Sequence, residues 1–268
     1  MKILVTGGSG FIGQNLYEYL IQKHEVIAPS HAEIELLDSD AVAKFLRGHS
    51  FDIIIHGAAR PGHRNAIDSS NQVQINTRMF FNLVRNAESY GKFIFLSSGA
   101  VYDMGHFYAK MKEEYFDEYV PTDEPGFSKY IIGKYIEKAD NILELRLFGV
   151  FGKYEDYAIR FISNAICNTI FDLPITIKQN RKFDYLYIDD LMPVIDYFIF
   201  NKVSYKSYNV TPDESMELKL LAELVRNISK KELPIMISES GMGMEYSGDN
   251  ARLRNEIKEI SFTNIKDS

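Results

Sequence analysis

The sequence lacks the features that mark a secreted, membrane-spanning or nucleic-acid-binding protein. It has one cysteine, Cys167, which excludes a disulfide framework and predicts a reducing compartment, the cytoplasm. No run of about 18 apolar residues occurs, so we expect no membrane span. The chain starts directly with a strand pattern, and no signal peptide is predicted. The formal net charge is −7, which argues against general binding to nucleic acid.

Metal-ligand spacing and internal repeats are also missing. The 6 histidines do not follow any metal-binding pattern, and we predict no metal site. With 46% hydrophobic and 25% charged residues, the composition is that of an ordinary globular protein. The 268 residues suffice for one large domain or for a core with a smaller lobe.

A glycine-rich turn near the N-terminus is the most informative feature that is present. Residues 7–13 (Gly-Gly-Ser-Gly-Phe-Ile-Gly) follow an apolar strand pattern at 2–6 and open a helical pattern at 11–20. This order is typical of a dinucleotide-binding βαβ unit. Glycines let a pyrophosphate approach the backbone, and the helix N-terminus offers free N–H groups to it. We therefore predict cofactor contacts at Gly7, Gly10, Phe11, Ile12 and Gly13.

Predicted strands and helices then alternate along the chain. Apolar runs predict further strands at 25–28, 51–56, 92–96 and 143–147, and helical spacing predicts helices at 38–46 and 73–90. The alternation indicates an α/β, Rossmann-like fold with a doubly wound parallel sheet. We assign 1–150 to a dinucleotide-binding core. The pattern loosens afterwards, and we assign 151–268 mainly to a small substrate-binding lobe, with some segments returning to the core.

Further motifs occur in a characteristic order. They are His-Gly-Ala-Ala at 56–59, Asn76, Ser-Ser-Gly-Ala-Val-Tyr at 97–102, Gly-Phe-Ser-Lys at 126–129, Leu-Arg-Leu-Phe at 145–148, Tyr-Ile-Asp-Asp-Leu at 187–191 and Ser-Gly-Asp-Asn at 247–250. With these motifs in this order, the chain resembles the extended short-chain dehydrogenases/reductases, the group of sugar-nucleotide epimerases, dehydratases and reductases. The stretch 33–38 is similar to that of reductases such as GDP-fucose synthase. The resemblance covers nearly the whole chain and implies an NAD(P)-dependent enzyme that acts on a nucleotide sugar.

The resemblance implies further cofactor contacts, at Asp38, Ala58, Ala59, Asn76 and Lys129. Asp38 would face the adenine, although it also suits a helix N-cap. A carboxylate at the end of the second strand would favour NAD, and an arginine would favour NADP. The chain has Ala-Pro-Ser-His at 28–31 instead. Ser30 and His31 could bind a phosphate or lie in a surface turn, and the preference leans to NADP.

The catalytic pattern that the resemblance implies is incomplete. A tyrosine exchanges a proton with the substrate, a lysine four residues later lowers its pKa, and a serine orients the reacting oxygen. Ser98 and Lys129 match two of these groups, but Pro125 stands at the tyrosine position. The candidate proton donors are Tyr102, Tyr130, the tyrosine at position 108 and water. A reaction that needs less acid catalysis, or binding without turnover, is an alternative.

Cations near the expected substrate site are the remaining candidates. Arg60, Arg64, Lys178 and Arg181 either bind the diphosphate of the substrate or are solvated surface charges. The resemblance implies that the paired aspartates at 189–190 are structural, and we predict that they stand at the start of a helix and cap it.

The resemblance also narrows the reaction. Gly99 and Ala100 replace the acid pair of a 4,6-dehydratase, and the lone Cys167 does not suit a 3,5-epimerising reductase. A nucleotide-sugar 4-ketoreductase or 4-epimerase remains, with the reductase favoured. The alternative is a catalytically impaired protein that binds cofactor and sugar nucleotide. A homodimer through the helices near 73–90 and 126–139 is implied by the resemblance.

Overall fold

The computed structural model describes residues 1–62, 66 and 68–268. The strands are β1 (Lys2–Thr6), β2 (Glu25–Ile27), β3 (Phe51–His56), β4 (Tyr90–Ser98), β5 (Ile142–Leu147), β6 (Gly149–Phe151), β7 (Ile175–Asn180), β8 (Lys182–Tyr187), β9 (Ser207–Val210), β10 (Ser215–Glu217) and β11 (Ile235–Met242). The α-helices are α1 (Phe11–Leu20), α2 (Ser39–His49), α3 (Gln72–Val84), α4 (Glu124–Ile136), α5 (Phe161–Ile170), α6 (Ile188–Phe200), α7 (Leu218–Ser229) and α8 (Ala251–Glu256).

A parallel sheet of six strands in the order β2-β1-β3-β4-β5-β9 forms the centre of the molecule. The chain begins at β1, adds β2 on one side, and then returns to add β3 on the other side. Strand order therefore reverses between β1 and β3. In open parallel sheets of this kind, ligands bind outside the carboxyl ends of the strands at the point of reversal. The predicted Rossmann-like α/β fold is confirmed.

Helices cover both faces of this sheet. On one face, Ile3 and Val5 of β1 pack with residues of α1 and α6, such as Leu16 and Phe198. On the other face, Leu4 packs with residues of α2, α3 and α4, such as Leu46, Phe80 and Ile132. A strand that is buried on both faces needs apolar side chains at successive positions, which explains the continuous apolar runs in the sequence.

A smaller lobe is built mostly from residues after 150. It combines a three-stranded sheet in the order β10-β8-β6 with the parallel pair β11 and β7. Helices α5 and α7 pack on it through a separate apolar cluster that includes Ile162, Ile175 and Leu221. Strand β9 is part of the main sheet, and helix α6 packs on that sheet. The chain therefore returns to the core at 188–210. The boundary at 150 stays a prediction.

The paired aspartates do stand in the first turn of α6, but neither caps the helix. The N-cap position is Tyr187, without a side-chain hydrogen bond. The carboxylate of Asp190 instead accepts the N–H of Thr263 at 2.8 Å and its hydroxyl at 2.6 Å. This aspartate therefore ties the last residues of the chain to α6. In the described part of the chain, no helix is both long and apolar enough to span a membrane.

Candidate active site

The glycine turn between β1 and α1 lies where the strand order reverses. Gly7 has φ +77°, and a Cβ on it would stand 2.8 Å from the main-chain nitrogen of Ala58. A Cβ on Gly13 would stand 2.0 Å from the carbonyl oxygen of Gly7, which no side chain tolerates. No side chain caps α1, and the N–H groups of Phe11 and Ile12 have no acceptor among the described residues. Such a turn fits the pyrophosphate of a dinucleotide.

The loop after β2 carries a carboxylate that the sequence motifs did not reveal. The N–H and the hydroxyl of Ser30 both donate to the same carboxylate oxygen of Glu33, each at 2.8 Å. These two hydrogen bonds hold the pKa of Glu33 below its usual range. The sequence has no acid at 28–31, but the loop brings Glu33 back to Ser30. The Ser-x-x-Glu spacing, which is typical of capping boxes, was the available signal. His31 is exposed beside them.

Asp38 and Asn76 hold the loops that follow β2 and β3. Asp38 caps α2 by accepting the N–H groups of Asp40 at 2.9 Å and Ala41 at 3.0 Å, and these bonds lower its pKa. Asn76 accepts the N–H of Arg60 at 2.7 Å through its side-chain oxygen. The N-cap interpretation of Asp38 is therefore confirmed, while the predicted adenine contact stays a prediction.

A buried histidine at the end of β3 contacts the same threonine as the loop that follows the strand. The ring nitrogen Nδ1 of His56 and the hydroxyl of Thr6 are 2.7 Å apart, and the N–H of Ala58 lies 3.5 Å from the same hydroxyl. Burial lowers the pKa of His56 to about 3, so the ring stays neutral at physiological pH. Ala59, the next residue, is exposed. Ala58 thus lies beside the glycine turn, and a cofactor contact of Ala59 stays a prediction.

One cleft of about 790 Å³ joins the glycine turn to the smaller lobe. It runs past the carboxyl ends of β4 and β5. Its walls include Gly10 of the turn, Ser98 at the end of β4, and Glu155, Arg160, Tyr185 and Tyr246 from later segments. The predicted cofactor turn and the predicted catalytic serine therefore share one cleft.

Ser98 and Lys129 stand on neighbouring elements. The hydroxyl of Ser98, the last residue of β4, accepts the N–H of Ala100 at 3.3 Å. Helix α4 packs closely on this turn, because a Cβ on Gly126 would stand 2.6 Å from the carbonyl oxygen of Ala100. The Lys129 ammonium donates to the carbonyl of Pro125 at 3.3 Å, and burial lowers its pKa. Pro125 occupies the first turn of α4, where a missing N–H costs nothing.

Two of the three tyrosines named as candidate proton donors, Tyr102 and Tyr130, are bonded to other side chains outside the cleft wall. The buried hydroxyl of Tyr102 donates to the Asn209 side chain at 2.8 Å and accepts from Arg146 at 2.9 Å. Desolvation raises the pKa of Tyr102. Arg146 is itself paired with Glu144 at 2.8 Å, so Tyr102 belongs to a buried polar network.

The hydroxyl of Tyr130 is exposed and donates to Asp117, which raises the pKa of Tyr130. Among the described residues, neither Tyr102 nor Tyr130 contributes to the cleft wall. The structure therefore does not bring these two hydroxyls to Ser98.

The predicted substrate cations are not gathered in the cleft either. Arg60 pairs with Asp68, and the exposed Lys178 lies 3.5 Å from Glu239. Arg181 follows β7 and lies beside Gly243, where a Cβ would stand 3.0 Å from its Nε atom. None of the three is among the described residues of the cleft wall. Arg64 lies outside the described residues.

Arg160 is a cation of the cleft wall that sequence reasoning missed. It holds the N-cap position of α5, is exposed, and makes no ion pair or side-chain hydrogen bond within the described part of the chain. Glu155, also in the wall, accepts the hydroxyl of Ser163, and burial raises its pKa to about 7. Neither residue belongs to a short motif, so the sequence carried no signal for them.

Comparison with known proteins agrees with this geometry. The family model described as the NAD dependent epimerase/dehydratase family matches residues 3–211. GDP-L-fucose synthase from Azorhizobium caulinodans is 32% identical over 89 residues, which cover 32% of this chain and only 28% of that protein. GDP-L-colitose synthase from Yersinia pseudotuberculosis is 25% identical over 224 residues, 75% of this chain and 73% of that protein.

The fold is similar to that of a solved structure. The structure of a GDP-mannoheptose C4 reductase from Campylobacter jejuni, with NADP bound, superposes with a TM-score of 0.83. The two are 19% identical, and the match covers 99% of this chain and 95% of that one. The sequence resemblance to extended short-chain dehydrogenases/reductases is thereby confirmed, and the chain belongs to the NAD dependent epimerase/dehydratase family.

Proposed function

We propose that the protein is an NAD(P)-dependent 4-ketoreductase of a nucleotide sugar. One observation carries the proposal: a single cleft joins a turn that fits a pyrophosphate, the hydroxyl of Ser98, and the unpaired guanidinium of Arg160. A dinucleotide and a second, diphosphate-bearing ligand would meet in that cleft at Ser98. The names of the relatives, which include GDP-sugar synthases and a C4 reductase, support the same substrate class.

The roles of the residues follow from their positions. The turn 7–13 would hold the pyrophosphate of the cofactor, which when bound in its reduced form supplies the hydride. Ser98 would hydrogen-bond the keto oxygen of the sugar and orient it. Arg160 would form charge-assisted hydrogen bonds to the diphosphate of the sugar nucleotide. Lys129, half-buried beside the turn after Ser98, would place its positive charge near the ribose of the cofactor.

The choice between NAD and NADP would depend on Glu33. Its carboxylate occupies both donors of Ser30 at the end of β2, where the 2′-phosphate of NADP would lie. A negative charge there disfavours the phosphate and opposes the preference for NADP inferred from the sequence.

The single cysteine supports a cytoplasmic location. The exposed faces of α3 and α4 would pair two copies of the chain into a homodimer.

A direct test uses the purified protein with NADH or NADPH and GDP-4-keto-6-deoxymannose, followed by the UDP- and ADP-linked analogues. Oxidation of the cofactor with formation of the reduced sugar supports the ketoreductase. Interconversion of a nucleotide sugar and its 4-epimer, for which UDP-glucose is the probe, without net cofactor consumption would favour the epimerase. Calorimetric binding of cofactor and nucleotide sugar without turnover would favour the binding protein that Pro125 suggests.

A variant that should lose cofactor binding is Gly13→Ala. Its added Cβ would stand 2.0 Å from the carbonyl oxygen of Gly7, so cofactor binding should be lost. Absence of cofactor binding by the unchanged protein would contradict the proposal altogether.

A further inference from the structure

The cleft wall contains a tyrosine, Tyr246, that no sequence motif assigned. It lies between β11 and α8, far along the chain from the catalytic candidates. Its main chain is fixed to β8 on both sides: its N–H donates to the carbonyl of Lys182 at 2.9 Å, and its carbonyl accepts the N–H of Asp184 at 3.2 Å. The backbone that carries this side chain is therefore held in place by a strand.

The ring of Tyr246 is held by three phenylalanines. Its centroid lies 5.1 Å from those of Phe107 and Phe148 and 5.6 Å from that of Phe183. Such a cage leaves the ring few alternative rotamers. The direction of the hydroxyl is therefore set by packing.

The hydroxyl of Tyr246 lies beside the residue that follows Ser98. A Cβ on Gly99 would stand only 2.6 Å from the hydroxyl oxygen of Tyr246. Glycine at position 99 thus provides the space that this hydroxyl occupies. Tyr246 and Ser98 both line the cleft.

The Tyr246 hydroxyl is also free for a ligand. Within the described part of the chain it has no hydrogen-bond partner, whereas Tyr102 has two and Tyr130 is bonded to Asp117. Burial raises the pKa of Tyr246, so its proton stays on the oxygen at neutral pH. A protonated phenol without a partner is a donor available to a substrate oxygen.

We propose that Tyr246 is the proton donor of this enzyme and performs the role that Pro125 cannot. This inference rests on the proposed ketoreductase function. The carbonyl carbon of the sugar accepts the hydride from the reduced nicotinamide dinucleotide. The π electrons move to the carbonyl oxygen, which takes the proton of Tyr246. The O–H bond of Tyr246 breaks as the O–H bond of the sugar forms. Water in the cleft then returns a proton to the tyrosinate.

The test replaces Tyr246 by phenylalanine in the full chain, with GDP-4-keto-6-deoxymannose as probe or whichever keto sugar the unchanged enzyme reduces. Loss of a general acid lowers kcat by about 10²-fold or more. The phenylalanine keeps the ring cage, so calorimetric Kd values for cofactor and nucleotide sugar should stay within about threefold. The control is Tyr197→Phe, which removes a hydroxyl that lies 3.4 Å from Glu256 at the edge of α6 and should leave kcat unchanged.

Two further measurements separate proton donation from a structural role. The residual rate of Tyr246→Phe should fall more steeply with rising pH than the rate of the unchanged enzyme, because its proton must come from solvent. In protein labelled with ¹³C at the tyrosine Cζ atoms, the signal missing from Tyr246→Phe should shift when the nucleotide sugar binds. A kcat within threefold of the unchanged enzyme, or an unmoved signal, would overturn the inference.

The failure of the inference is distinct from failure of the proposed function. If the unchanged protein neither binds nor reduces any of the nucleotide sugars, the function itself is refuted. If it reduces one and Tyr246→Phe does so equally well, only the role of Tyr246 is refuted. Should Tyr246→Phe not fold, Gly99→Ala perturbs the same hydroxyl, since its Cβ would stand 2.6 Å from both the Tyr246 hydroxyl oxygen and the Phe148 ring, and it should also lower kcat.

Discussion

At the scale of single residues, Glu33 offers a sharp prediction about the cofactor. We expect Glu33→Gln to raise the affinity for NADPH relative to NADH about fivefold, because removing a negative charge about 4 Å from the phosphate is worth about 1 kcal/mol in water. The ratio of the two dissociation constants, measured by fluorescence titration, checks this. The control is Glu35→Gln, which makes the same change of charge at a carboxylate that accepts the N–H of Leu37. Equal ratios in both variants would exclude Glu33 as the determinant.

Glu155 predicts how stability depends on pH. Burial raises its pKa from 4.5 to about 7, so the folded state holds a proton that the unfolded chain has released. The free energy of unfolding therefore falls as pH rises from about 4.5 to about 7. Glu155→Gln removes this dependence and should be more stable than the unchanged protein at pH 8 by about 1–2 kcal/mol, with no such gain at pH 4.

Urea unfolding of both proteins at the two pH values measures this difference. Glu25→Gln is the matched control, because its exposed carboxylate pairs with Lys2 on the surface. A stability difference for Glu155→Gln that is the same at both pH values would contradict the assignment of the raised pKa to Glu155.

At the scale of elements, local patterns predicted the first half of the fold well. The spacing over 11–20 and the run at 51–56 match α1 and β3 residue for residue. The spacing over 73–90 predicts one helix, but α3 ends at Val84 and β4 begins at Tyr90. Tyr90 aligns with Phe51 of β3 and is buried in the core. Pairing with the neighbouring strand thus overrode helical spacing, and a local pattern does not contain that information.

The smaller lobe was not predictable element by element. Strand β11 is mostly exposed and shows no strand-like alternation of burial, yet it pairs with β7 some 60 residues earlier in the chain.

The residues of the candidate site were also predictable only in part from local sequence patterns. The glycine turn, Ser98 and Lys129 stand in contiguous motifs, whereas Arg160 and Tyr246 come to the cleft from the smaller lobe, where Arg160 precedes α5 and Tyr246 is hydrogen-bonded to β8. Contacts of this kind depend on tertiary structure and leave no periodic signal.

At the scale of the whole molecule, helices α3 and α4 lie side by side on one face of the sheet. Phe127 and Tyr135 of α4 remain 37% and 42% exposed there. A stable homodimer needs about 800 Å² from each partner with an apolar centre. We predict that the protein sediments as a dimer at micromolar concentration and that the proposed interface includes this face.

The variant Phe127→Glu tests the proposed dimer. A carboxylate buried without a partner in an apolar interface costs several kcal/mol, so the dissociation constant should rise by about 100-fold or more and the variant should sediment as a monomer. The control is Phe171→Glu, since Phe171 is 72% exposed at the turn after α5 in the smaller lobe. Circular dichroism shows whether each variant is folded. A monomeric unchanged protein would refute the dimer, and a dimer broken only by Phe171→Glu would move the interface to the smaller lobe.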